Sequence, residues 1–280
     1  MAMVVGATAL MLAPLCAAIL GLAIQRGGTC TVAAVEELLA TRRPTRLLAM
    51  IEASLWVGGG LLLAREFGLV AELPSGFALT RWTLAGAVLL GLGAMLNRAC
   101  VIGTIARLGS GEMAYVAMPV GYYLGCTTAD RLFVQPALQA LGVASPAFGA
   151  PGWLAGLFAL LAVVRLARGL QARRGSMQQP WSPHSATAVI GLAFLCLLLL
   201  VGAWSYTDLL AELARTMDHA LMAQDLAARV LIGIALLAGA LVGGRLTGQL
   251  RRQSATVSAM ARCFGGGVLM GWGIGCIACS

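Results

Sequence analysis

The sequence has no lysine, only two histidines (His184 and His219), and few acids: 11 Asp and Glu stand against 19 basic residues, every one an arginine. Charged residues make up 11% of the chain, less than half of the ~25% usual in a soluble domain. So few charges cannot coat the exterior of a soluble fold of this size, and so apolar a chain cannot stay disordered. A nucleic-acid module is excluded on the same ground, despite a pI near 9.5. There is no HExxH, no Walker loop and no GxGxxG following a strand, so common enzyme signatures are missing. What the chain does have is 60% hydrophobic residues, 36 glycines and a mean hydropathy of +0.88 over its 280 residues. That combination describes an integral membrane protein of many spans.

Long apolar runs fall at 2–24, 47–64, 82–96, 113–125, 152–167, 184–204 and 228–248, with a shorter one at 264–279. They carry Leu, Ala and Gly throughout without period-2 alternation, which predicts helices rather than barrel strands. The expected class is all-α, polytopic, in the bilayer of the inner (plasma) membrane. The first run lacks a basic leader and reads as a retained helix rather than a signal peptide. The stretch 205–226 places Leu209, Leu213, Met217 and Leu221 on one face and reads as an external helix at the interface.

Arginines sort by connection. Residues 41–46, 165–183 and 245–262 carry several Arg each and no acid, whereas the alternating connections hold Glu66, Glu72, Asp130, Asp208, Glu212, Asp218 and Asp225. The positive-inside rule puts the three Arg-only segments in the cytoplasm and the N-terminus outside. The expectation is one transmembrane domain over 1–280, with repeat halves of about 1–165 and 184–280 joined by a cytoplasmic linker at 165–183.

Four segments interrupt the apolar pattern with Gly, Cys and polar residues: 21–40, 91–112, 120–130 and 264–280. The first two share a plan. Gln25-Arg26 and Asn97-Arg98 follow a Gly-rich helix and precede Cys30 and Cys100. The other two share a looser pattern and run the opposite way in this topology. Inverted repeats with short re-entrant half helices are therefore expected, broken near the membrane midplane. A broken helix leaves free N–H groups at the start of its second half, and these favour an anion. Arginine at that depth is costly, so Arg26 and Arg98 point to an anion path.

Eight cysteines are spread over the chain. Cys16 and Cys196 read as small core hydrophobes, and Cys263 as structural. Cys30, Cys100, Cys126, Cys276 and Cys279 lie in the interrupted segments. The CxxC at 276–279 has no second CxxC or His pair beside it, so no metal site is expected. Protonated thiols at a constriction would make weak serial contacts with an anion, letting it enter and leave. Glu52 sits inside an apolar run and needs a cationic or polar partner, such as Arg107.

Three stretches carry a resemblance: IQRGGTCTVAAVEELLATRRP, NRACVIGTIARLGSGE and RCFGGGVLMGWGIG. From about residue 20 onward the chain resembles the YeeE/YedE family of sulfur-compound transporters. The resemblance implies a bundle with re-entrant helices, thiosulfate uptake, and three cysteines that relay the anion by hydrogen bonding. Cys30 and Cys100 match the first two motifs. The third position falls to Cys279 or Cys276; Cys279 is preferred, although it lies one residue short of the family spacing. Family members continue past this motif, whereas this chain stops at Ser280, as a truncated or short member would.

The expected substrate path is thus Cys30, Cys100, Cys279, Cys276, Arg26, Arg98, Asn97 and Gln25, carrying thiosulfate or a similar sulfur anion without cofactor, metal or catalysis. A small cytoplasmic sulfur-carrier protein or sulfurtransferase is an expected partner. Two alternatives stay open: a membrane thiol-disulfide oxidoreductase using the 276–279 pair with Cys30 or Cys100, and a docking protein for a sulfur carrier.

Overall fold

A computed structural model of the chain describes residues 2–70, 75–77, 79–133, 140–144, 151–171, 181–202, 204–216, 223–250 and 253–278. Within the described residues, every apolar run of the sequence is mainly α-helix. In order they are α1 (Ala2–Gly27), α2 (Thr31–Thr41), α3 (Thr45–Glu66), α4 (Arg81–Asn97), α5 (Val101–Gly109), α6 (Ala117–Leu132), α7 (Gly152–Gln171), α8 (Pro183–Val201), α9 (Tyr206–Thr216), α10 (Ala223–Leu246) and α11 (Val257–Ala278). A 3-10 turn at Met113–Val116 leads into α6, and a small antiparallel ribbon pairs Ser75–Phe77 with Ala140–Ala144. Among the described residues, five helical stretches are long and apolar enough to cross a membrane: Met11–Thr41, Thr45–Glu66, Arg81–Gly109, Pro183–Val201 and Leu226–Leu246. The protein is an all-α, multi-pass membrane protein.

The outer surface is that of a bundle bathed in lipid. Leu48, Ile51 and Leu55 on α3, and Leu84, Val88 and Leu92 on α4, are exposed at helical spacing. A stripe of that kind is costly in water and free in hydrocarbon. Cys196 also faces outward, so it is not the core residue its apolar run suggests.

Inside, the helices form two packing groups. In the first, α1 lies between α10 and α8, and α3 packs on α8 and α7. In the second, α11 lies between α4 and α6. Lipid offers helices no hydrophobic drive to associate, so contact depends on close backbone approach. Glycine supplies it. A Cβ added to Gly267 would strike the carbonyl of Met118, and one on Gly271 that of Tyr122, both on α6. On another face of α11, a Cβ on Gly266 would lie 2.7 Å from the Gly93 carbonyl of α4.

These contacts correct one expectation. The segments 120–130 and, over its described residues, 264–278 do not break; they lie within the unbroken α6 and α11. Their glycines thin the helices where they meet. The polar residues among them are satisfied locally: the hydroxyls of Thr127 and Thr128 donate to the Leu124 carbonyl at 2.9 and 2.8 Å. Trp272 Nε1 donates to the Thr128 hydroxyl at 2.8 Å, tying α11 to α6.

Helix α9 is also not a loose interfacial helix. Leu209 packs in the core of the first group, and Leu210, Ala211 and Ala214 pack in that of the second. Tyr206 touches both cores, and burial pushes its phenol up to about 12, so it stays neutral there. Met217 and Leu221 lie outside the described residues. Glu52 is paired with Arg165 of α7 (2.8 and 3.3 Å) and with His184 Nδ1 of α8 (2.6 Å), joining three helices of the first group. Arg107, its expected partner, instead binds Glu112 at 3.1 Å.

A leucine at Gly271 would have to displace backbone, and overpacking costs about 1–3 kcal/mol even against movable side chains. Gly271→Leu should therefore lower the melting temperature in detergent. Gly91→Ala, where the added methyl meets open space, should leave it unchanged or raise it.

Candidate anion site at the helix breaks

Two real breaks remain, and they are built alike. At the end of α1, Gly28 is left-handed (φ 55°), its N–H donates to the Gln25 carbonyl (3.2 Å), and the Thr29 N–H donates to the Ile24 carbonyl (3.3 Å). At the end of α4, Arg98 is left-handed (φ 58°), its N–H reaches the Met95 carbonyl (3.1 Å), and the Ala99 N–H reaches the Ala94 carbonyl (3.2 Å). This is the Schellman closure, which satisfies carbonyls that a helix end would otherwise leave bare. After it, each chain needs a residue in extended conformation to cap the next helix. That residue is Cys30 (φ −154°, ψ 130°) for α2 and Cys100 (φ −73°, ψ 177°) for α5.

Cys100 caps its helix as a serine would, with sulfur as acceptor: its Sγ accepts the Gly103 N–H at 3.3 Å. Cys30 holds the same N-cap position in extended conformation, and its side chain makes no cap bond. The thiol hydrogens are then free to point away from the helices. In the structure Cys100 Sγ donates to Cys30 Sγ across 3.7 Å. Two residues 70 apart in sequence thus meet at the start of two short helices. The close fit requires Gly103, where a Cβ would collide with Cys30 Sγ. Each helix N-terminus carries roughly half a positive charge, so both dipoles favour an anion at the thiols.

The meeting point is the seam between the packing groups. Helix α5 continues from α4 of the second group but packs on α1 and α10 of the first. Asn97 holds the α4–α5 turn: it is fully buried, and its Nδ2 donates to the Ala99 carbonyl (2.8 Å) and the Thr104 hydroxyl (3.0 Å). Gln25 does a different job, donating to Ser110 (3.3 Å) and Gln249 (3.1 Å) where α5 and α10 end. It crosslinks helix ends and does not reach the thiols in this arrangement.

Arg26 and Arg98 are not equivalent. Aligning the two cysteines puts Gly28 opposite Arg98 in the left-handed position. Arg26 is 6% exposed, with its guanidinium 5.0 Å from the Trp181 ring centre. Arg98 is exposed. The expected pair of matched arginines is therefore one covered cation and one surface cation.

Helix register also moves the site. Cys30 lines a small cleft with Arg46, Ala49 and Met50 from the start of α3, and with Pro183 and Thr187 from the start of α8. Those positions lie within about 8 Å of the helix starts at 1.5 Å per residue. The thiols sit near the Arg-rich ends of these helices, not at their middles as the midplane expectation had it. Cys276 does not join them. Gly266 of α11 is level with Asn97, and Cys276 lies ten residues further on, roughly 15 Å along the helix. Cys279 lies outside the described residues. Sequence reasoning missed Arg46, whose signal was only its place in an Arg-only loop, and the packing role of Thr104.

Compared with protein families, residues 26–278 match the sulphur transport family. Compared with curated proteins, the chain has no match.

Asn97→Ala removes both bonds that hold the turn, and a buried group left unpaired costs about 1–3 kcal/mol. The variant should melt lower than the parent in detergent. Thr104→Val, which leaves the bond to Ala99 intact, should show a smaller loss.

Proposed function

This chain belongs to the sulphur transport family, a membrane transporter of sulfur compounds, and from there we propose that it imports thiosulfate or a closely related sulfur oxyanion past protonated thiols without covalent chemistry. The observation that carries this reading is the pairing of Cys30 and Cys100, 3.7 Å apart, on two helix N-termini. A dianion arriving there would meet two positive dipole ends and two S–H donors, with the Cys100 sulfur already engaged as acceptor by its own helix. Sulfhydryl donors are weak. Weak contacts at successive stations allow release as well as capture. A thiolate would repel the guest, so transport needs both thiols protonated.

Asn97 shapes the turn that presents Cys100, and Arg26 closes the flank of the Cys30 turn. The C-terminal motif supplies the third thiol, Cys279 by preference, with Cys276 as its neighbour on α11. Arg-only connections put this end of the bundle in the cytoplasm of an inner-membrane protein with its N-terminus outside. A cytoplasmic sulfur carrier or sulfurtransferase would collect the product there. No reaction is required of the protein itself.

A second reading rests on the same distance. Two thiols so close could cycle as a dithiol–disulfide couple in a membrane oxidoreductase. It requires a soluble dithiol or quinone partner and predicts a Cys30–Cys100 disulfide during turnover.

Uptake of labelled thiosulfate into proteoliposomes separates the readings. Cys100→Ala and Cys30→Ala should each lower uptake at least about tenfold, as loss of an interaction worth ~1.4 kcal/mol in the rate-limiting state would. Excess sulfite or sulfate should compete more weakly than thiosulfate, and both thiols should stay free throughout. Undiminished uptake by Cys100→Ala would remove the relay, and a disulfide that forms with turnover would favour the oxidoreductase.

A further inference from the structure

Cys30 faces two ways. On one side is Cys100. On the other is a cleft between the starts of α3 and α8 that Cys30 shares with Gly28, Thr29, Arg46, Pro183 and Thr187. Arg46 is the charged residue of that lining among the described residues. Its side chain is 43% exposed, so it stands at the rim, while Cys30 belongs to the seam behind it. Next to them Gly28 leaves open space: a Cβ there would have no atom within 4 Å. The cleft therefore has backbone and thiol within and one cation at the lip.

That cation is only loosely held. Arg46 Nε lies 3.4 Å from Glu37 Oε2 of α2, beyond the distance of a strong charge-assisted bond. Glu37 Oε2 is shielded from solvent and lacks a hydrogen-bond partner. An anion in the cleft would compete with Glu37 for the guanidinium, and a guanidinium takes an oxyanion through two parallel N–H groups. Arg42 and Arg43 are exposed in the adjoining turn and add positive potential to the same face.

We infer that this cleft is the cytoplasmic mouth of the path, that Arg46 is its anion-selecting residue, and that Glu37 is the internal competitor that lets the anion leave. This rests on the transport reading above and deepens it by placing the stations in order: Cys100, Cys30, Arg46. The ligand is a small oxyanion. Arg46 is a binding residue at the mouth, and Glu37 acts through it.

The test uses charged methanethiosulfonate reagents on the full-length protein in oriented vesicles, with the Cys30 peptide read by mass spectrometry. Applied to the Arg-rich face, the anionic sulfonatoethyl reagent should modify Cys30 faster than the cationic trimethylammonium reagent. Arg46→Gln should cut that ratio roughly tenfold, as loss of one charge-assisted contact does, and Arg46→Lys should restore most of it. Glu37→Gln should raise the ratio. In thiosulfate uptake from the opposite face, where Arg46 is the exit station, Glu37→Gln should slow release and lower kcat with KM little changed.

Equal rates for the two reagents in the parent and in Arg46→Gln would overturn the inference. So would modification of Cys30 only from the opposite face, or none at all. The labelling does not depend on transport. Uptake with no charge preference sinks the mouth and spares the transport reading; charge preference without uptake of thiosulfate does the reverse.

Discussion

Hydrocarbon gives a bare amide or carbonyl nothing to bind, and the whole arrangement follows from that demand. A helix crossing lipid satisfies its own backbone, so a helix that stops must be closed on the spot. This chain closes α1 and α4 with the same pair of returning hydrogen bonds and then restarts each helix on a cysteine. Sulfur as the cap leaves an S–H pointing outward. Serine would cap as well, but its hydroxyl is a stronger donor and acceptor, and a stronger contact would hold an anion longer. The means of ending a helix and the means of meeting a guest are the same atoms.

The second constraint is close packing without hydrophobic drive. Glycines on α11 let α4 and α6 approach backbone to backbone. Those on α1 and α10 do the same in the first group: Gly21 lies against the Leu236 carbonyl, and Gly239 against that of Ala18. Two such tight groups leave one seam, and α5 crosses it. Buried polar side chains gather there because broken helices present groups to bind. Asn97 and Thr104 satisfy the turn at the thiols, and Gln25, Ser110 and Gln249 satisfy the helix ends beyond. Away from the seam, the ion pairs are structural. Glu52 with Arg165 and His184 neutralises an acid on an apolar helix and pins three helices together.

Helix type and lipid exposure were legible in the chain because each depends on local composition and on a period of 3.6 residues. The doublet of Cys30 and Cys100 was legible too, since each follows a helix, an Asn or Gln and an Arg within five residues. What misled was glycine. A run such as Gly265–Gly267 reads equally as a break or as a thin place in a helix, and the neighbour across the gap chooses between them. The same holds for Arg26 and Arg98, matched by eye in sequence but displaced by two positions once the turns are superposed on the cysteines.

The sequence by itself determined that this is a helical membrane protein, that its apolar pattern is interrupted around Cys30 and Cys100, and that its arginines crowd particular connections. Propensity, hydropathy and capping act over a few residues, so these features are written locally. Only the tertiary structure decided that Cys30 and Cys100 touch while Cys276 stands apart, that α6 and α11 run unbroken, and that Arg46 borders the cleft. Each of those depends on which helix lies beside which, and distance across a seam of the bundle is a property of packing that no local pattern encodes.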